Sequence, residues 1–538
     1  MNLRKLPAKL FYALPESVQK LARVTYYKAL GGLNRREIRR VRGAARPVAS
    51  PKGKVLFATL RYWPIHHAWE SVLAHALRAR GYETEFLVCD EQFKVCDYRA
   101  GGKMPESACA ICHKNSAAFL EEFRLPYRRL GSMLGERPHP LKGSSLRELR
   151  ETLVDRLPIG EWCYQSLCRY LLVGNVPDTP ESRLIYDRMI DAAVRVYNGF
   201  MVRLRTETLH ALVLVNGKFF LERVLFEVAR LHGIDVLTYE RGRIQDTLTF
   251  AWNAFANDGA DDATWNATKS HKLTAEQDAR LTQYLDDRVY GRKSLTDPWN
   301  LGIRDSAIIK KTLKLDGRPL FVLYTNLLWD TSVLEKDLGF PSHAAWVKET
   351  VSWFAKRPEF QLVVRVHPAE ARLQNLQTKE RIADLFTEWP ATVTLVPSTS
   401  DISSYTLMDL ADAVLVYATN AGMEAVLRGK PALCAGRAHY YGRGVAIETP
   451  TRKAFFSAIE NYRSLRPTVE SARRYAYFFF FQTMIPYGVV KEQLRGETTG
   501  RDFRFAFKDI DALTASPPED LKRVIDAVID RKPLYLAP

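Results

Sequence analysis

Cysteine is scarce, with seven in 538 residues. That excludes the disulfide framework of a small secreted domain. Long apolar runs are missing too: none reaches the roughly 18 residues that a membrane-spanning helix needs. The strongest, Tyr475–Phe481 (YAYFFFF), reads as a buried helix. No secretory leader is visible, because the apolar stretch Leu10–Leu14 is brief and bracketed by Pro7 and Pro15. Hydrophobic residues make up 46%, an ordinary globular proportion, which excludes a disordered chain or a collagen-like repeat. These absences read together as a soluble cytoplasmic protein, and the length calls for two domains plus extensions.

Acid is nearly absent from the first fifty residues. They hold twelve Lys/Arg against Glu16 and Glu37, so ten of the net seventeen positive charges sit in this arm. Leu10, Phe11, Leu14, Val18 and Leu21 fall at helical spacing, which suits a basic amphipathic helix on an anionic membrane surface. A solvated basic arm is the other reading. Nucleic acid is a weak partner, since the charge is confined to one arm and no recognition motif accompanies it.

After Pro51 the pattern becomes β then α. Lys54–Leu60 is a strand, Ala68–Arg80 a helix and Thr84–Asp90 a second strand, which makes a βαβ unit. Residues 140–209 read mostly helical. Ala211–Val215, Phe219–Leu231 and Asp235–Tyr239 add a strand, a helix and a strand. Residues 255–305 are polar and read as a linker. A second series follows, with strands at Leu320–Tyr324, Gln361–Val366, Thr392–Val396, Ala413–Tyr417 and Pro431–Ala435. Its helices fall at about 342–356, 375–388, 402–411 and 421–428, and 451–530 reads as helical without further strands. The expected fold class is α/β, two doubly wound Rossmann-like domains facing a central cleft. The expected divisions are 1–50 (basic extension), 51–305 (first Rossmann-like domain), 306–450 (second Rossmann-like domain) and 451–538 (a helical region packing back on the first domain).

Two stretches of the second series carry chemistry. In Val416–Pro431 (VYATNAGMEAVLRGKP) a strand ends in a small-residue turn that opens a helix. The backbone N–H groups of Asn420, Ala421 and Gly422 would face an anion, Thr419 and Asn420 would add side-chain hydrogen bonds, and Glu424 could accept from a ribose hydroxyl. A plain capped crossover helix is the alternative. In Arg365–Glu370 (RVHPAE) the strand delivers His367 to its carboxyl end, where Pro368 stops it. His367 could donate to a phosphate or leaving group, with Arg365 adding charge. A structural histidine is the alternative.

Together, RVHPAE and Ala421–Gly444 (AGMEAVLRGKPALCAGRAHYYGRG) resemble the capsule polysaccharide biosynthesis family of glycosyltransferases, which includes the β-Kdo transferases. The resemblance covers roughly 310–450. It implies a GT-B fold and sugar transfer from a CMP-activated donor without a catalytic metal. It also implies that His367 and Pro368 hold the donor phosphate, with Thr419, Asn420 and Gly422 forming the phosphate-facing turn. Related enzymes often carry a Ser/Thr pair in that turn, where this chain has Ala418-Thr419-Asn420. CDP-glycerol-type polymer transferases share the His-Pro element, so polyol-phosphate transfer is an alternative chemistry. A catalytically inactive scaffold of a polysaccharide assembly complex is another.

On the acceptor side, Glu240 follows a strand in Tyr239–Asp246 (YERGRIQD) and could deprotonate a hydroxyl, with Asp246 as substitute. An ion pair of Glu240 with Arg241 or Arg243 competes with this reading. His66 and His67 could contact the acceptor or cap a helix. Cys89, Cys96, Cys109 and Cys112 crowd into one loop as C-x6-C-x12-C-x2-C. They read either as a structural zinc site or as free thiols. The acidic pairs Asp261-Asp262 and Asp286-Asp287 read as solvated loop acids. The expected protein is a glycosyltransferase that moves a sugar from a nucleotide-activated donor to a surface polysaccharide or lipid-linked acceptor. Its basic arm would hold it at the inner face of the plasma membrane.

Overall fold

The computed structural model describes residues 14–43, 48–102, 104–136, 144–258, 262–290, 302–330, 333–374, 380–493 and 502–536. Leu10, Phe11 and Asp261 lie outside them.

Helix α1 (Glu16–Val41) leads into β1 (Lys54–Phe57), α2 (Pro64–Arg78), β2 (Glu83–Val88), α3 (Ala108–Glu122) and β3 (Tyr127–Arg129). After the helices Ile159–Leu171 and Pro180–Leu204 come β4 (Ala211–Val215), α4 (Phe220–Leu231), β5 (Val236–Arg241) and β6 (Thr247–Trp252). These strands form one sheet in the order β6-β5-β4-β1-β2-β3, parallel from β5 through β3 with β6 antiparallel. β4 reads ALVLV and is buried along its whole length, as a parallel strand covered on both faces must be. One face packs on α2, α3 and the end of α1, the other on α4 and the two long helices.

The second sheet runs β12-β11-β10-β7-β8-β9, all parallel. Helix α5 (Ala275–Val289) precedes β7 (Leu320–Tyr324), β8 (Gln361–Arg365), β9 (Val393–Val396) and β10 (Ala413–Val416); α6 (Ala421–Leu427), β11 (Ala432–Cys434) and β12 (Ile447–Glu448) follow. The chain therefore has the expected fold class, two doubly wound α/β domains of GT-B type. In each sheet the strand order reverses once, between β1 and β4 and between β7 and β10. Ligands of such sheets bind beyond the carboxyl ends at that reversal.

Several expectations are corrected. The segment 255–305 is not a plain polar linker: α5 buries Leu281 and Tyr284 in the second core, and Asp287 is buried. The stretch 375–388 gives only a short 3-10 turn, Ile382–Leu385, among its described residues. The region 451–530 carries strands after all. β13 (Ile485–Pro486) pairs antiparallel with β6, and β14 (Val490–Gln493) pairs with β15 (Asp502–Phe505). Their apolar residues, with Val524 and Ile525, complete the first core. Helix α7 (Val469–Tyr477) runs into a π turn over Phe478–Gln482, and Tyr475–Phe481 is buried in the second core. Helix α1 is not a detached arm. Leu30, Ile38 and Val41 are buried, while Val18 and Leu21 face outward. No helix among the described residues is long and apolar enough to cross a membrane.

Candidate functional site

The reversal in the second sheet lies between the loops after β7 and β10. Asn326 joins them: its Nδ2 donates to the Ala418 carbonyl and its Oδ1 accepts from the Ala418 amide, both at 3.4 Å. Beside them, the His367 amide donates to Thr325 Oγ1 at 3.0 Å. His367 Nδ1 accepts from the Ala369 amide at 3.1 Å. The neutral ring therefore carries its proton on Nε2. Burial holds its pKa below the ordinary imidazole value, with Asp330 opposing and Arg365 reinforcing the shift. His367 thus offers an N–H donor at the carboxyl edge of the sheet, and Pro368 turns the chain away after it.

Arg365 does not share that position. It is buried, donating to Ser404 Oγ at 3.1 Å, the Pro397 carbonyl at 2.8 Å and the Ser400 carbonyl at 3.4 Å. It pins the loop after β9.

The turn into α6 is shaped by Tyr440, whose hydroxyl donates to the Thr419 carbonyl at 2.9 Å. A Cβ on Gly422 would lie 2.2 Å from that hydroxyl oxygen, so only glycine fits. The amides of Ala421 and Gly422 make only long bonds, 3.4 Å, to Thr419 Oγ1 and to the Thr419 carbonyl. Asn420 Oδ1 meets His439 Nε2 at 2.7 Å. The His439 ring stacks on Phe479 with centroids 4.1 Å apart. Burial depresses the pKa of His439 far below its usual value, reinforced by Arg243, Arg443 and Lys336. Glu424 is not free: Arg288 of α5 donates to its Oε1 at 2.7 Å in a largely buried pair.

Across from this turn stands the end of β5. Glu240 Oε2 accepts from Asn216 Nδ2 at 3.0 Å and Asn257 Nδ2 at 3.4 Å, and Oε1 accepts from the Arg241 amide at 3.0 Å. The ion pairs considered for it do not form. Arg241 pairs with Glu492 at 2.8 Å, and the Arg243 guanidinium lies 4.4 Å from the centre of the Phe479 ring. Asp246 is taken up in structure, binding Lys491 Nζ at 2.9 Å and the Glu492 amide at 3.2 Å.

Arg243, weighed in the sequence only as an ion-pair partner for Glu240, stands apart from the other charges here. Its guanidinium makes no hydrogen bond or ion pair among the described residues. Burial, reinforced by Arg288, brings its pKa down to about 10, with Tyr475, Tyr284 and Glu240 opposing. It remains charged at neutral pH. Arg243 and His439 both lie against Phe479, which brings the Glu240 edge and the Asn420 turn close together. His367 stands on the same edge as Asn420, beyond β7. Nearby, Lys218 of the first domain and Lys336 of the second share Asp258, at 2.6 and 2.8 Å. Among Arg243, Lys218, Lys336, Asp258 and Glu240, cations outnumber anions. The only hint of Arg243 in the sequence is the strand-end position of YERGR.

Among the described residues no group of three or more His, Cys, Asp or Glu could hold a metal ion, the four clustered cysteines included. Those four are free thiols. Cys112 Sγ accepts from the Tyr62 amide at 3.2 Å, and burial pushes the Cys89 thiol up to about 12. Their setting does not fit a zinc site. His67 is fully buried against Ser116 and belongs to the core.

Residues 267–469 match the model of the capsule polysaccharide biosynthesis protein family. This agrees with the resemblance carried by RVHPAE and Ala421–Gly444, both of which lie inside the matched segment. No curated protein matches. Among solved structures, the β-Kdo 2,4 transferase of Thermosulfurimonas dismutans KpsC is 16% identical, with a TM-score of 0.36 over 52% of this chain and 83% of that one. Its β-Kdo 2,7 transferase is 12% identical, with a TM-score of 0.32 over 63% and 89%. Acinetobacter baumannii MurG is 13% identical, with a TM-score of 0.25 over 79% and 95%. With TM-scores this low, these structural likenesses carry no weight for the chemistry.

Proposed function

We propose that the protein transfers a sugar from a nucleotide-activated donor, CMP-linked by preference, to a surface polysaccharide or lipid-linked acceptor. As the family resemblance implies, it does so without a catalytic metal. The observation that carries this reading is Arg243, a charged guanidinium with no acceptor among the described residues, set against the same Phe479 ring as His439 of the Asn420 turn. Such a group is preorganised for an anion that arrives with the substrate. The donor phosphate lies between Arg243, the Nε2–H of His367 and the amides of Ala421 and Gly422. As the bond from sugar carbon to phosphate oxygen breaks, these donors take up the charge that develops on the phosphate. On the acceptor side, both oxygens of Glu240 already accept hydrogen bonds, which suits it to orient an incoming hydroxyl. The exposed face of α1, with Val18, Leu21, Lys28 and Arg36, meets the anionic membrane surface that carries a lipid-linked acceptor.

Thermal melting with CMP, CDP, UDP, GDP and ADP tests this. Ligand at about 100 times its dissociation constant adds about 2.7 kcal/mol, enough to raise the melting temperature visibly. A shift with cytidine nucleotides, lost in His367→Ala and Arg243→Ala variants that melt like wild type without ligand, is expected. No shift with any nucleotide would sink the proposal.

A further inference from the structure

The reversal in the first sheet, between β1 and β4, carries a second polar device. Thr59, in the loop after β1, donates to Glu70 Oε2. The Tyr239 hydroxyl donates to Glu70 Oε1 at 2.7 Å. His66 Nδ1 lies 3.2 Å from that same hydroxyl oxygen. The Tyr239 proton is committed to Glu70, so the imidazole is the donor and carries its proton on Nδ1. His66 Nε2, which has no hydrogen-bond partner among the described residues, keeps a free lone pair. Glu70 is buried at 2% exposure, whereas His66 is only partly buried, at the carboxyl edge of β5 beside Arg241. A hydrogen-bonded line thus runs from a buried carboxylate to a partly buried imidazole at the carboxyl edge of the first sheet.

We propose that His66, Tyr239 and Glu70 form a proton relay that accepts the proton of the acceptor hydroxyl, an inference that rests on the transferase reading above. The acceptor oxygen bonds to the sugar carbon, and the carbon–oxygen bond to the donor phosphate breaks with its electron pair leaving on the phosphate. The hydroxyl proton moves to His66 Nε2, the Nδ1 proton moves to the Tyr239 oxygen, and the Tyr239 proton moves to Glu70. One proton has left the acceptor and one has arrived on the buried carboxylate. After product release the same line returns it to solvent through His66. His66 is the residue that touches the substrate; Tyr239 and Glu70 act through it.

The surroundings fit this direction of travel. Burial, reinforced by Arg241, lowers the pKa of His66 to about 3, so it is a neutral acceptor that cannot keep the proton. Burial raises Glu70 to about 7, with Thr59 and Tyr239 opposing and Glu222 reinforcing the shift. Glu222 of α4 is itself clamped by Arg61, which also holds Asp97. His67 is buried next to His66, and the Tyr487 hydroxyl, donating to the Trp69 carbonyl at 3.1 Å, closes the remaining side.

Two measurements on the full-length protein test the relay. Infrared difference spectra between pH 5 and 9 should show a carboxyl titrating near neutrality, absent in Glu70→Gln and displaced in both Tyr239→Phe and His66→Gln. A Glu70 ionised throughout, or one that neither neighbour moves, overturns the relay whether or not the protein is a transferase. Turnover is read with CMP-Kdo and a Kdo-primed glycolipid. Glu70→Gln and His66→Gln should lower kcat about 100-fold or more, leave the donor KM unchanged and keep the nucleotide-induced melting shift. The limb of the kcat profile that rises through neutral pH should vanish in Glu70→Gln. A loss equal at every pH, or turnover within about threefold of wild type, overturns the relay. Failure of wild type to shift with any nucleotide overturns the transferase reading instead, and the infrared titration still decides the relay.

Discussion

The two sheets share one plan, yet they are completed differently. The second is assembled from strands in a single span, β7 to β12, and its carboxyl edge is built of backbone turns and imidazoles. The first needs β13 from the far end of the chain, and its edge holds two buried polar clusters: Arg61 with Glu222 and Asp97, and Glu70 held by the hydroxyls of Thr59 and Tyr239. The difference teaches where each domain is vulnerable. The first depends on charges that are costly to bury and must stay paired. The second depends on close backbone approach.

Three variants sharpen this contrast. The largest effect is expected from Arg61→Ala. Arg61 and Glu222 are each only 2% exposed at the side chain, and removing one partner of a buried pair costs about 3–5 kcal/mol because the other is left uncompensated. Chemical denaturation should show the first domain failing, and a loss below about 1 kcal/mol would mean that water reaches Glu222. Next comes Gly422→Ala in the second domain. Its methyl would meet the Tyr440 hydroxyl and Val416, at an overpacking cost of about 1–3 kcal/mol. The nucleotide-induced melting shift should also be lost, since Tyr440 holds the Thr419 carbonyl. An unchanged shift would show that the turn takes no part in binding.

The smallest effect on stability is expected from Lys28→Glu with Arg36→Glu. Both residues are exposed on α1, so the melting temperature should hardly move. Recovery on anionic vesicles should fall, at about 1 kcal/mol per basic residue near the surface. Equal recovery would remove α1 from membrane contact. Removing the whole arm would be a poorer test, because Leu30, Ile38 and Val41 are core residues and Arg39 and Arg42 bind Glu122.

The strands legible in advance were those buried on both faces. ALVLV and LFVLY gave β4 and β7 their bounds because continuous apolar runs have one use in a parallel sheet. Those that escaped were short, polar or, like β6 with TLTFAW, alternated threonine with apolar residues. β3 reads YRR on a sheet edge, and β13 spans two residues whose partner lies more than two hundred positions earlier. The site divides the same way. His367 was placed by its strand and by Pro368, both local. The commitment of Glu424 to Arg288, of Arg365 to Pro397 and Ser400, and of Arg243 to the Phe479 face depends on residues distant in sequence.

The sequence by itself determined the alternation of strand and helix, the carboxyl-edge position of His367 and the Asn420 turn, and the family pattern over the second domain. These follow from side-chain period, proline and glycine, which act over a few residues. Only the tertiary structure decided which charges are paired and which face the cleft. It set Arg243 on the Phe479 ring without an acceptor among the described residues, closed Glu424 with Arg288, and lined up Glu70, Tyr239 and His66. Pairing depends on distances across the fold, and burial then sets the cost of each charge, so neither can be read from spacing along the chain.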